Sequence, residues 1–240
     1  MRSIYGVLSL IAVVVVVSAC AETRGDYGLM KANIPKYGFL GEYYDRLQPG
    51  DEKKGEAEYF YNAPDIQEIA QKATKVIVDP VVMFRGDKGK LNPQDAQTLV
   101  NYLHKNMYEA WKESGYEIVD QPGPNTVRFQ VSLSDAESRW VALDTISTIV
   151  PQLRAMGELK GFVTGKPTFV GAALAEYKII DAETGRVIEA GYDRRVGGRS
   201  IAKGFNEWAD VINAMDYWRD KMKYGFCLIK GGRECKPPKA

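Results

Sequence analysis

Three closely spaced arginines, Arg194, Arg195 and Arg199, flanked by Gly197 and Gly198, are the side chains best suited to gripping a charged partner. Planar guanidinium groups can hold a carboxylate, a phosphate or an anionic glycan, so this stretch is a candidate anion or partner site. In the competing reading the two glycines turn the chain from strand to helix while the arginines pair with acids. Catalytic signatures are missing. There is no Gly-x-Ser-x-Gly elbow, no phosphate loop ending in Gly-Lys-Ser or Gly-Lys-Thr, no His-Glu-x-x-His and no Cys-x-x-Cys. A single histidine, His104, is all that a triad could draw on, and a structural or exposed role suits it better. The 31 acidic residues could act in acid and base pairs, but so many acids also fall together by chance. Two cysteines and one histidine cannot make a four-ligand zinc cage without carboxylates, so no metal, no cofactor and no catalytic residue is assigned.

Cys20 has better-defined chemistry. Met1-Arg2-Ser3 gives a positive start, Ile4 to Val17 is almost wholly apolar, and Ser18-Ala19 are small, which together make the three zones of a secretory signal. The apolar run falls short of the roughly 20 residues of a spanning helix. Val17-Ser18-Ala19-Cys20 resembles the lipobox of bacterial lipoproteins. That resemblance implies that Cys20 becomes the first mature residue and carries acyl chains such as palmitate. The alternative is an ordinary cleaved signal with a cysteine at the border by chance. Two buried acyl chains suffice for stable anchoring, at about 0.8 kcal/mol per methylene, so the protein is expected to be tethered to a bilayer and not to span it. Ala21 and Glu22 follow, with no aspartate at the second position. The resemblance then implies the outer membrane, on its periplasmic face.

Removing residues 1–19 leaves 31 basic against 31 acidic side chains, since only Arg2 is lost from 32 and 31. A nucleic-acid partner would want a basic excess on one face, and none is expected. In an oxidising compartment Cys227 and Cys235 are expected to bond to each other across a loop containing Gly231-Gly232, with free thiols or a bond to a partner as alternatives. The expected organisation is a signal peptide at 1–19, a lipidated tether and irregular lead-in at 20–74, a folded domain at 75–225, and a loop and tail at 226–240. In the lead-in, Tyr37, Phe39, Leu40, Tyr43, Tyr44, Leu47 and Tyr59-Phe60-Tyr61 are too apolar for linker alone and should pack along the domain. Asp51 to Glu58 reads as a solvated charge run.

The elements that must position any site begin at Lys75. Lys75 to Phe84 is short and β-branched and reads as one mostly buried strand, with an edge or bulge at Pro80. Asn92-Pro93 starts a helix whose Val100, Leu103, Met107 and Trp111 form one stripe, with Gly115 closing it. Tyr116 to Val119 is a short strand. Thr126 to Leu133 alternates, with Val127, Phe129, Val131 and Leu133 on one face. Thr168 to Ile180 and Arg186 to Asp193 flank a loop of hairpin length ending in Gly185. A last helix is expected over Asn206 to Lys223, burying Trp208, Ile212, Met215 and Trp218 or Met222. Between the strands, Ser138 to Lys166 carries a helical stripe of Ile146, Ile149, Val150, Leu153 and Met156, interrupted by Pro151 and followed by glycines at intervals of four. It reads as a kinked helical insertion and a candidate interaction surface.

Several separate segments carry a family resemblance. Leu91 to Ala96, Gly115 to Asp120, Asp144 to Pro151, Phe169 to Gly171 and Asp193 to Gly198 resemble a proteobacterial lipoprotein family known only as a domain of unknown function, DUF3313. The resemblance runs from about Ala32 to Lys223 and implies no activity and no catalytic residue. The order of elements is also similar to small domains of periplasmic assembly lipoproteins, a likeness of fold. The expected fold is α+β: a mainly antiparallel sheet of four to five strands, two packed helices and a helical insertion between strands. The expected role is binding or assembly in the cell envelope, with an envelope protein or further copies of the chain as partner. A carboxylate enzyme acting on cell-wall material and a purely structural oligomer are the alternatives.

Overall fold

Pro80 divides what the sequence pattern reads as a single strand. The structure, a computed structural model, describes residues 38–85, 93–135, 144–147, 172–196 and 207–239. The first part of the divided strand is β3 (Lys75–Val78) and the second is β4 (Val82–Arg85). Proline has no N–H to give a ladder, so pairing stops there and resumes beyond it. Both parts run parallel to β6 (Thr126–Asp135), β3 against Thr126 to Phe129 and β4 against Ser132 to Ser134.

The described residues place nine strands in one mixed sheet, which corrects the expected four to five mainly antiparallel strands. Besides the split at Pro80, β1 (Gln48–Pro49) and β2 (Tyr59–Asn62) come from the stretch read as lead-in. A further strand, β7 (Asp144–Ser147), lies where a helical insertion is expected, and it pairs antiparallel with β4. Its Thr145 and Ile146 are β-branched and suit a strand. The rest of that insertion lies outside the described residues. β5 (Glu117–Ile118), β8 (Ala172–Asp181) and β9 (Val187–Val196) complete the set. The path runs β1, β2, β9, β8, β6, β3, β5, with β4 and then β7 continuing beside the second half of β6. The broader class, helices packed on a sheet, stands.

There are three α-helices among the described residues, not two: α1 (Ile66–Lys72), α2 (Pro93–Glu113) and α3 (Glu207–Ile229). Parallel neighbours need a crossover, and α2 supplies it between β3–β4 and β5–β6. Its predicted stripe of Val100, Leu103, Met107 and Trp111 is buried against the alternating Val127, Phe129, Val131 and Leu133 of β6. Trp111 meets Phe226 of α3 at 4.3 Å and Tyr116 at 4.7 Å between ring centroids. In α3, Met215 and Trp218 are buried as predicted, whereas Ile212 is half-buried and the side chain of Trp208 lies outside the described residues. The predicted hairpin joins β8 to β9, with Gly185 at φ +72° in its turn.

The sheet is covered on both faces. Opposite the helices, Leu40, Tyr44 and Leu47 pack on Leu174, Ala190 and Tyr192, so residues 38–47, including a 3₁₀ turn at Gly41–Arg46, form a second small core. Cys227 and Cys235 form a disulfide, with Cα atoms 5.6 Å apart, which ties the end of α3 to the C-terminal loop.

Candidate functional site

A bulge in β9 creates the site. Glu189 pairs with Ile179 and Val187 with Ile180, which leaves Ile188 without a partner on β8. Bulges re-aim side chains, and this one sends both Ile188 and Glu189 toward the helices. Ile188 enters the main core, while Glu189 lines a cavity of about 420 Å³ between the sheet and the helices. That volume lies within the range of small-molecule sites. Its walls are mainly apolar, from Ile66 of α1, Leu103 and Met107 of α2, Ile179 of β8, and Trp218 and Met222 of α3. Lys54 to Ala57 form a further wall.

Polar groups converge on the β9 side. Tyr177 Oη donates to Glu189 Oε1 at 2.7 Å. Its ring lies across Gly191, where a Cβ would come within 2.9 Å of the ring and hydroxyl and 2.8 Å of the Tyr59 carbonyl oxygen, so only glycine fits. Burial pushes the Glu189 carboxyl above its usual range; the Tyr177 bond pulls it back and neighbouring Glu56 pushes it further. Burial also raises the Tyr177 hydroxyl, which keeps the proton on the tyrosine. Asp193, four residues along β9, accepts from Lys221 Nζ at 2.7 Å and from the Glu58 backbone N–H at 3.3 Å. Burial raises Asp193, and Lys221 opposes that shift.

The wall at Asp51 to Glu58 is held to α3 through side chains. Tyr217 Oη donates to Glu52, and Tyr224 Oη donates to the Lys53 carbonyl at 2.8 Å. The Arg195 guanidinium stacks 3.5 Å from the Tyr217 ring centroid. The charge run that reads as a solvated face is therefore, in part, a wall of the cavity. Among the described residues no group of three His, Cys, Asp or Glu is arranged to hold a metal ion. The arrangement suits an apolar body with one polar end at Glu189.

A family model described as a protein of unknown function, DUF3313, matches residues 35–222. The chain belongs to the DUF3313 family. No curated protein matches it. Two solved structures are distantly similar to this DUF3313 chain. One is a leucine-to-methionine variant of the PelC dodecamer from Paraburkholderia phytofirmans, 15% identical, covering 68% of this chain and 90% of that one, with TM-score 0.31. The other is the PelC dodecamer from the same organism in a second crystal form, 11% identical, covering 74% and 95%, also with TM-score 0.31.

In this DUF3313 member the residues singled out from sequence scatter. Cys20 lies outside the described residues, as do Arg199, Ile149, Val150, Leu153 and Met156. Ile146 is in β7. Arg194 and Arg195 sit in β9 itself, and neighbours along a strand point to opposite faces, so these two do not converge on one ligand. His104 is buried in α2 with Nδ1 unpartnered, and burial lowers its pKa; it does not line the cavity. Among the described residues no helix is long and apolar enough to cross a membrane. Sequence reasoning missed Glu189, Tyr177 and Glu56. The available signal was Gly191 set between two acids in a strand rich in apolar residues.

Proposed function

We propose that this DUF3313 protein is a lipid-anchored module of the bacterial envelope that binds a small molecule with an apolar body. The cavity carries the binding reading: about 420 Å³, apolar on most sides, with polar groups gathered at one wall. Anchoring draws on the sequence, in which Val17-Ser18-Ala19-Cys20 ends an apolar run, as support for Cys20 as the proposed acceptor of acyl chains. The bilayer partner is then the outer membrane, reached from its periplasmic face. Assembly with an envelope protein or with further copies is the part that Arg194, Arg195, Arg199 and the Ile146 to Met156 segment would serve.

The binding test uses the full chain with Cys20→Ser and the fluorescent probe N-phenyl-1-naphthylamine. Saturable enhancement in that chain, abolished when Ala70→Trp fills the cavity from α1, supports the reading; equal enhancement with and without Ala70→Trp overturns it. Incorporation of labelled palmitate into wild type and its loss in Cys20→Ser tests the anchor. A second reading, acid–base chemistry on cell-wall material, has Glu189 as its candidate because burial raises its carboxyl. Turnover of purified peptidoglycan that is lost in Glu189→Gln would favour it over simple binding.

A further inference from the structure

We infer that the cavity takes an amphipathic amine, an apolar body whose protonated amino group pairs with Glu189. This rests on the reading of the cavity as a binding site and adds the class of its ligand.

Glu189 is a carboxyl group at the wall of an apolar cavity with, among the described residues, one side-chain hydrogen bond, from Tyr177, and no basic side chain paired with it. The polar groups that line the cavity with it come from every wall. Tyr177 comes from β8, Asp193 from β9 itself, Glu56 from the wall segment and Lys221 from α3; Lys54 stands at the exposed end of that segment, and α1 contributes the uncharged Gln67 and Gln71. Lys221 is committed to Asp193 at 2.7 Å. Three acids and two lysines therefore line the space, and the buried lysine is already paired. Tyr177 engages Oε1, which leaves Oε2 for another donor.

The three simple head groups have different consequences here. A carboxylate would place a fourth acid beside Glu56, Glu189 and Asp193. An alcohol would give a hydrogen bond but no charge to offset the carboxylate. An ammonium group supplies both the donor and the missing charge, and charge-assisted hydrogen bonds are about twice as strong as neutral ones. Ile66, Ile179 and Met222 receive the apolar body.

Decylamine, decanol and decanoate, each below its solubility limit or micelle concentration, are the probes, titrated calorimetrically at pH 7 into the full chain with Cys20→Ser. Decylamine is expected to bind about tenfold more tightly than decanol, a difference of about 1.4 kcal/mol, with decanoate weakest. Adding Glu189→Gln, which keeps an acceptor for Tyr177, should erase the preference for amine, so that decylamine binds no more tightly than decanol. Decanoate binding as well as decylamine, or an amine preference that survives Glu189→Gln, overturns the assignment. Equal binding of all three overturns it too but leaves the cavity reading standing, whereas no binding of any probe removes the cavity reading itself. Should Glu189→Gln not fold, the parent chain still decides. In that chain, decanol binding as tightly as decylamine overturns the assignment without any variant.

Discussion

The hydroxyl of Tyr44 donates to the carboxyl of Glu176 on the face of the sheet opposite the helices, and Ser132 Oγ donates to the other oxygen at 3.3 Å. Glu176 is only 1% exposed. Burial pushes it up to about 7, against the downward pull of both hydrogen bonds and of nearby Lys178. The folded chain thus holds this proton to higher pH than the unfolded chain, whose carboxyl titrates near 4.5. The contribution is full below about pH 4.5 and is lost as pH rises through about 7, on the order of 3 kcal/mol. Urea unfolding at pH 5 and pH 8 should show wild type losing stability and Glu176→Gln losing far less. An identical pH slope in both proteins would contradict this.

Gly191→Ala should destabilise by about 2 kcal/mol, because the new methyl meets the Tyr59 carbonyl at 2.8 Å and the Tyr177 ring at 2.9 Å. Backbone cannot step aside as a side chain can, so Tyr177→Phe added to it should recover little. Thermal unfolding of the single and double variants is the measurement.

Lys221→Met leaves Asp193 buried with no lysine partner and should cost about 3 kcal/mol. Adding Asp193→Asn removes the stranded charge and should restore more than half of the loss. Chemical denaturation of the two variants reads the difference, and a double variant no better than Lys221→Met would count against the pair.

Reduction of Cys227–Cys235 should lower stability by about 2 to 3 kcal/mol, the chain-entropy value for so short a loop. Hydrogen exchange ought to quicken most in the last turn of α3 near Ile229, while Val100 and Leu103 in α2 lose no more protection than the global loss of stability accounts for.

The parts of this fold legible in sequence are those where one local rule acts alone. Asn92-Pro93 and the stripe through Trp111 define α2, strict alternation defines β6, and Gly185 marks the β8–β9 turn. Pro80 is legible as an irregularity, but not that the chain on either side of it lies along the same strand. β1 and β2 are too short for any period to show; β2 is placed by its pairing with β9, more than a hundred residues away, and β1 pairs in turn with β2. Glu189 was hidden for a related reason. A strict period of two puts Val187, Glu189, Gly191 and Asp193 on one face, which reads as an ordinary half-exposed strand. The bulge that breaks this period at Ile188 is a property of the β8 pairing and has no residue signature of its own.

One short length of chain serves both faces of the sheet. Residues 38–47 press Tyr44 onto Glu176 on one side, β1 turns around the edge against β2, and Lys54 to Ala57 wall the cavity on the other. The two contacts are thus in mechanical series. A load applied upstream of Gly38 is borne first by the small core of Leu40, Tyr44 and Leu47, and only when that core yields does it reach the cavity wall, so the stiffness of the cavity toward such a pull depends in part on the Tyr44–Glu176 contact, on the far side of the sheet.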